Sequence, residues 1–138
     1  MNRDLRAERG HGDGDRERRD PAERFAGSEH LYDLTGSAQA LRRELREPRN
    51  GHRQVTLAHD EGITVLLFDF EVGGALPDHV ADGLVMIQVI AGAIEVATSE
   101  TVHRLTAGSL LVLAAGVRHD VSAREASQVL LTVHLRHA

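Results

Sequence analysis

The sequence predicts an all-β domain, either an antiparallel sandwich or a barrel, behind a charged tail and one short helix. From about Gln54 onward, apolar and polar residues alternate with the period of two that a half-buried strand shows. Glycine-containing turns interrupt this pattern about every ten residues, and no second helical pattern follows. Short strands separated at regular intervals by turns are typical of antiparallel sandwiches and barrels.

The first 24 residues carry charged side chains where a folded segment would carry apolar ones. They contain seven Arg and seven Asp or Glu. A segment of this composition cannot bury enough apolar surface to offset the entropy lost on ordering. We therefore expect residues 1–24 to form a disordered charged tail. A nucleic-acid-binding arm is the alternative, but the interspersed acids cancel the positive field that such an arm requires.

A short helix is predicted at about residues 37–47. Leu41 and Leu45 lie four residues apart, which places them on one face of a helix. Ser37 is a suitable N-cap, because its hydroxyl can accept a hydrogen bond from an unpaired N–H of the first turn. Pro48 ends the pattern, since the residue before a proline disfavours helical geometry.

Eight short strands are predicted across the β domain, which covers residues 54–136 and follows a linker at residues 25–53. Their predicted positions are 55–58, 62–72, 84–90, 94–97, 101–105, 110–113, 119–123 and 128–135. Gly73-Gly74 and Pro77-Asp78 are interpreted as a break between the second strand and the third, because Gly and Pro interrupt strands.

The composition excludes several classes of protein. Without Cys there is no disulfide, thiolate zinc site or cysteine nucleophile, and without Lys there is no nucleotide-binding P-loop. A net charge of −5 with one Tyr, three Phe and no Trp disfavours nucleic-acid binding. No apolar run reaches the length of a membrane span, and the N-terminus is charged where a signal peptide is apolar. We expect a cytoplasmic protein that binds neither nucleic acid nor membrane.

Two histidines are the main candidates for chemistry. His79 lies between two predicted strands, and His119 begins a strand directly after a glycine turn. Alternation places His119, Val121 and Ala123 on the inward face of that strand. His119 therefore presents an imidazole to an apolar interior. A histidine in that position is either a hydrogen-bonded core residue or a ligand for a metal or small molecule.

Two stretches around these histidines resemble the two conserved sequence motifs of the cupin family. The first is residues 73–92 and the second is residues 108–123. The matching residues are Gly73, His79 and Gly92 in the first motif and Gly108, Gly116 and His119 in the second. The resemblance covers about residues 55–135 and is greatest to small single-domain cupins of the RmlC-like group. It implies a double-stranded β-helix, that is, a jelly-roll barrel.

The metal-binding pattern of the family is degenerate in this chain. In metal-binding cupins, two His and a Glu of the first motif join one His of the second. Here Ala81 stands at the second His position and Val85 at the Glu position. The resemblance therefore implies a metal site reduced to His79 and His119. Two imidazoles alone form a weak and poorly selective site, for which Mn, Fe, Ni, Cu or Zn would be suitable.

Gln88 and His134 are further candidate ligands. Strict alternation puts Gln88 on the face opposite Val85, and only a bulge between them would turn it toward the pocket. Otherwise Gln88 bonds between strands or lies at a dimer interface. His134 shares a face with Leu130 and Thr132, and lies either at the barrel mouth or on an exposed edge.

The resemblance also implies a ligand pocket inside the barrel. The predicted lining is Phe68, Phe70, Met86, Ile90 and Val121, with Arg118 at the mouth. We expect a protein that binds a small molecule there, through a divalent metal held by His79 and His119. The alternative is a metal-free ligand-binding or regulatory barrel without catalytic activity.

If the protein is an enzyme, the resemblance implies a metal-dependent dioxygenase, isomerase or lyase. Sugar epimerases of the family use a His and a Tyr in the barrel, whereas the only Tyr here, Tyr32, precedes the barrel. A homodimer is expected, because the long apolar strands at 62–72 and 127–135 are predicted to expose edges.

Overall fold

A computed structural model describes residues 28–135, and the predicted tail at residues 1–24 lies outside them. It confirms the all-β prediction, with one short helix, α1, at Leu34–Arg42. The nine strands are β1 His52–Asp60, β2 Ile63–Phe70, β3 Ala75–His79, β4 Gly83–Ala91, β5 Ala93–Thr98, β6 Val102–Thr106, β7 Leu110–Leu113, β8 His119–Ala123 and β9 Ser127–Leu135.

The strands form two antiparallel sheets that face each other. The larger sheet has the order β1-β2-β9-β4-β7 and the smaller one the order β3-β8-β5-β6. Apolar side chains from the inner faces of both sheets fill the space between them and form the barrel core. The buried members of this core are Phe68, Phe70, Val85, Ile87, Val89, Ile94, Val96, Leu105, Leu113, Val121, Ala123 and Val129.

The centre of the helix lies four residues nearer the N-terminus than the centre of the predicted helix. It begins after Asp33, whose side chain accepts a hydrogen bond from the Gly36 N–H. Asp33 is therefore the N-cap, and Ser37, the predicted cap, is buried within the helix. Leu41 packs in the interior as expected, whereas Leu45 lies beyond the helix end and is fully exposed. The prediction was wrong here because an aspartate cap precedes the serine in the chain.

Both faces of β2 are buried, which explains how α1 is fixed to the barrel. One face enters the barrel core, and the other contacts α1 through Leu67 and Val65. On that second face Asp69 is 1% exposed. The Arg42 guanidinium donates to both of its carboxylate oxygens, at 2.7 and 3.3 Å. The hydrogen bond to Asp69 is the main reason why the pKa of Arg42 is raised.

Strand β3 was absent from the predicted strands. Its sequence, ALPDH, contains a proline and follows two glycines, so it was interpreted as a break. The structure pairs it with β8 at the edge of the smaller sheet. An edge strand tolerates Pro77 because one side of the strand needs no ladder hydrogen bond.

A close backbone contact joins the two sheets between β1 and β3. A Cβ atom on Gly51 would lie 2.6 Å from Gly74 Cα, and one on Gly74 would lie 2.3 Å from the Gly51 oxygen. Across this contact the Ala75 N–H donates to the Asn50 oxygen at 2.8 Å. His52 Nδ1 donates to the Ala75 oxygen at 3.1 Å. We call this contact the β1–β3 seam, and it closes the barrel along one edge.

The strand edges on which the predicted homodimer depended are covered. Strand β2 pairs with β1 and β9, and β9 pairs with β2 and β4, so both lie inside the larger sheet. The outer strands of that sheet are β1 and β7. The homodimer stays a prediction, which sedimentation analysis can test.

Among residues 28–135, no helix combines the length and apolar character that crossing a membrane requires.

Replacing Arg42 tests the attachment of the helix. Arg42→Ala leaves the buried Asp69 carboxylate without its partner, so we expect the free energy of unfolding to fall by about 2 kcal/mol. Because the Arg42 side chain is 51% exposed, water reaches part of the site and limits the loss. Urea unfolding measures the effect. The exposed neighbour Arg43→Ala should cost under about 0.5 kcal/mol, and equal losses in both variants would contradict this role for the ion pair.

Candidate functional site

The candidate site lies at the end of β3 that is farther from the β1–β3 seam. His79 at the end of β3 and His119 at the start of β8 are directly paired residues of neighbouring strands. Their ring centroids are 4.2 Å apart and the ring planes make an angle of 62°. The structure therefore brings together the two histidines that the sequence singled out.

A β-bulge directs His79 into the barrel. Leu76 pairs with Val121 and points inward, and simple alternation would then turn Asp78 inward and His79 outward. The register shifts between Leu76 and His79, so that β3 carries one residue more than β8 over this stretch. Asp78 is accordingly exposed, and His79 lines the interior opposite His119.

Backbone carbonyls fix the orientation of both imidazoles in the same way. His79 Nδ1 donates to the Pro77 oxygen at 2.8 Å, and His119 Nδ1 donates to the Val117 oxygen at 3.1 Å. A carbonyl oxygen only accepts hydrogen bonds, so Nδ1 carries the proton in each ring. In the neutral rings both Nε2 atoms are then acceptors. This pair can receive a hydrogen bond from a bound molecule or donate electron pairs to a metal.

The electrostatic surroundings of His119 favour its neutral form. The residue is 1% exposed, and burial is the main reason why its pKa lies below the ordinary value. The nearby His79 lowers the pKa further. The Val117 carbonyl, Asp120 and Asp78 act in the opposite direction without reversing the shift.

A cavity of about 510 Å³ opens beside His79, and we call it the barrel mouth. Its polar lining consists of Gln54, Asp78 and His79. Its apolar walls come from both sheets and from the β3–β4 loop, and they include Leu66, Phe68, Leu76, Ala81, Val85, Leu131 and Val133. Below the mouth, His119 lines an inner void of only about 10 Å³, near the smallest space that holds one water. Within the barrel, any larger bound molecule must therefore lie in the barrel mouth.

Three of the predicted pocket residues line a cavity of the structure. Phe68 lines the barrel mouth, and Phe68, Phe70 and Val121 line the inner void. Met86 and Ile90 do not, because Val85, Ile87 and Val89 of the same strand occupy the inward positions. Ile90 instead packs beneath α1 on the outer face of the larger sheet. The prediction was wrong for these two residues because β4 carries apolar side chains on both faces.

Gln88 and His134 lie away from the histidine pair. Gln88 is exposed on the outer face of β4, with no bulge between it and Val85 to reverse the alternation. His134 is exposed, while Leu131 and Val133 take the inward positions of β9. Among the described residues no group of three or more His, Cys, Asp or Glu side chains could hold a metal ion.

Arg118 lies at the rim of the barrel mouth. Its guanidinium donates to the Asp78 carboxylate at 3.2 Å, and both side chains are more than half exposed. Arg118 therefore lies beside the mouth as expected, with its guanidinium already paired to a carboxylate of the same chain. The pair joins the β7–β8 loop to β3 beside the opening.

Sequence reasoning missed Gln54, Leu131 and Val133 as residues of the barrel mouth. The last two could have been found, since alternation with His134 leaves them on the other face of β9. Gln54 lies on an edge strand and enters the mouth because β1 borders the gap between the sheets. Tyr32 is outside the barrel, where its hydroxyl donates to the Leu57 oxygen at 2.6 Å.

Comparison with known proteins gives the same fold. Residues 73–138 match a family described as the AraC-like ligand binding domain. No curated protein matches the sequence. A conserved protein of unknown function from Streptococcus pyogenes aligns with a TM-score of 0.66 and 24% identity, covering 83% of this chain and 96% of that one.

Two further solved structures are cupins. A cupin superfamily protein from Desulfitobacterium hafniense aligns with a TM-score of 0.64 and 13% identity, covering 81% of this chain and 95% of that one. An RmlC-like cupin from Shewanella frigidimarina aligns with a TM-score of 0.60 and 18% identity, covering 66% and 82%. The likeness confirms the predicted jelly-roll barrel.

The pKa shift of His119 predicts a dependence of stability on pH. Because the folded pKa is below the ordinary value of 6.5, the unfolded chain binds the proton first as the pH falls. The contribution of His119 to stability is complete above about pH 6.5 and decreases as the pH falls toward the folded pKa. Urea unfolding between pH 7 and pH 5 should show a steeper loss in the wild type than in His119→Gln.

The exposed His134→Gln serves as the control for that experiment and should retain the steepness of the wild type. If His119→Gln also retained it, burial of a neutral His119 would not be the cause.

Proposed function

We propose that the protein, whose residues 52–135 form a cupin-like jelly-roll barrel, binds a small organic molecule in the barrel mouth, without a metal. The bound molecule has an apolar body and a hydrogen-bond donor directed at Nε2 of His79. The observation that carries this proposal is a mainly apolar cavity of about 510 Å³ lined by the oriented imidazole of His79, whose ring packs against that of His119. Ligand pockets of proteins fall in a range of about 300–1,000 Å³ and combine apolar walls with few polar groups.

The chemistry of the lining supports a donor group on the ligand. Both imidazole Nδ1 atoms are engaged by carbonyls, so the mouth offers the acceptor Nε2 of His79 to a hydroxyl or amine. Burial opposes protonation of His119, so the neighbouring ring of the pair also stays neutral, with an acceptor at Nε2. The match of residues 73–138 to a ligand binding domain family is in line with binding in the barrel.

Metal binding is the second candidate, and one observation favours it. Histidine ligands of metals commonly donate their second ring N–H to a backbone carbonyl, as both imidazoles do here. The donor set nevertheless fits a metal centre poorly. Stable sites use three or more protein ligands, and the described residues supply two imidazoles without a third donor. We therefore place the metal-free function first.

Filling the barrel mouth tests the proposed function. The probe is N-phenyl-1-naphthylamine, a neutral apolar amine whose fluorescence rises on binding to apolar sites. Ala81→Phe introduces a ring into the mouth, so we expect roughly tenfold weaker probe binding. Thr106→Phe adds the same ring at an exposed position of β6 and should leave binding unchanged. Equal binding by wild type and Ala81→Phe would contradict the proposal.

Metal analysis by mass spectrometry separates the two candidate functions. Protein purified without a His tag is compared with the His79→Ala/His119→Ala double variant. We expect far less than one metal per chain in both samples, because two imidazoles hold divalent ions weakly. Near-stoichiometric metal in the wild type and none in the double variant would instead establish the metal centre.

A further inference from the structure

We infer that the molecule bound in the barrel mouth carries an anionic group, which a basic cleft beside the mouth recognises. The inference rests on the proposed function, because it assigns one end of the same ligand. The ligand class is an organic anion with an apolar body, such as a carboxylate, sulfonate or phosphate ester. Gln54 is the residue that the mouth and the cleft share.

The basic cleft has a volume of about 410 Å³ and follows the free edge of β1. Arg46, Arg49 and Arg53 line it, against a single acid, Glu47. This local excess of positive charge stands out in a chain whose formal net charge is −5. Guanidinium groups bind carboxylate, sulfonate and phosphate oxygens through paired N–H donors.

Two of the three guanidinium groups remain available to an anion. Arg46 is paired with Glu44 at 3.3 Å. Within residues 28–135, no acid lies within ion-pair distance of Arg49 or Arg53. Arg53 is also held in place, because its Nε and Nη2 donate to the Arg46 oxygen at 3.2 and 2.8 Å. A guanidinium that is already fixed loses less entropy when it binds an anion.

The mouth and the cleft meet at Gln54, which follows the β1–β3 seam along β1. His52 packs against Phe68 and Phe70, with ring centroids 5.4 Å from each, and marks the closed end. Gln54, two residues further along β1, lines both cavities, and its side-chain oxygen is 3.2 Å from His52 Nε2. An apolar body in the mouth can therefore direct its anionic end past Gln54 toward the arginines.

Of the residues that the structure describes, no arginine lines the mouth itself. Arg118, at the rim, is already paired with Asp78. The His79 imidazole in its neutral form accepts rather than donates at Nε2, which disfavours a carboxylate there. The anionic end is accordingly placed at the cleft and the donor end at the histidine pair.

A matched pair of fluorescent probes tests the inference. 8-Anilinonaphthalene-1-sulfonate and N-phenyl-1-naphthylamine share the same aromatic body and differ by the sulfonate. In Arg49→Gln/Arg53→Gln, we expect the Kd of the sulfonate to rise about three- to tenfold, since exposed guanidinium contacts contribute modestly. The Kd of the neutral probe should stay within about twofold of wild type, because its contacts are apolar.

The control is Arg104→Gln/Arg124→Gln, which makes the same change in net charge on the other sheet. It should leave both probes unaffected. The single variant Arg49→Gln, at an exposed position, keeps the Arg53 contacts and should show the same selective loss for the sulfonate.

The outcomes separate the two proposals. If both probes bind and Ala81→Phe weakens both, but the Arg49 and Arg53 variants behave like the control, the anionic end is wrong and the proposed function stands. If the cleft variants weaken both probes equally, charge recognition is also wrong. If Ala81→Phe affects neither probe, the proposed function fails and this inference fails with it.

Discussion

The β1–β3 seam is the constraint on which the rest of the barrel depends. Two glycine backbones touch where any Cβ would collide with backbone atoms, so the sheets meet there without side chains between them. His52 fills the adjacent interior and hydrogen-bonds across the seam. The barrel mouth opens further along β1 and β3, where Gln54 and His79 line it.

The wall of the barrel next to β1 is formed by β2, which is buried on both faces. Its inner face supplies Phe68 and Phe70 to the barrel core, and its outer face supplies Leu67 and Asp69 to the contact with α1. A strand in this position cannot shift by one residue without moving a carboxylate into the core and a phenyl ring out. The floor of the candidate site is therefore a rigid surface.

Much of the fold could be predicted from the sequence because its signals are local. Glycine turns and alternation locate eight of the nine strands. Alternation alone also predicts that the His119 side chain faces inward. Other features depend on information that no local pattern carries. The inward direction of His79 comes from a bulge, which is defined only by the pairing of β3 with β8. Met86 and Ile90 could not be excluded from the pocket by parity, since β4 is apolar on both faces.

The interior beneath His79 is nearly filled, which limits how deeply a ligand can enter the barrel. A void of about 10 Å³ cannot take up a ligand, so a bound molecule stays near the opening and keeps part of its own surface in solvent. The exposed part of the ligand and the Asp78–Arg118 pair at the rim then form one continuous surface. The shape of that surface differs between the empty and the occupied protein. A partner molecule could therefore distinguish the two states by surface contact, without any movement of the strands.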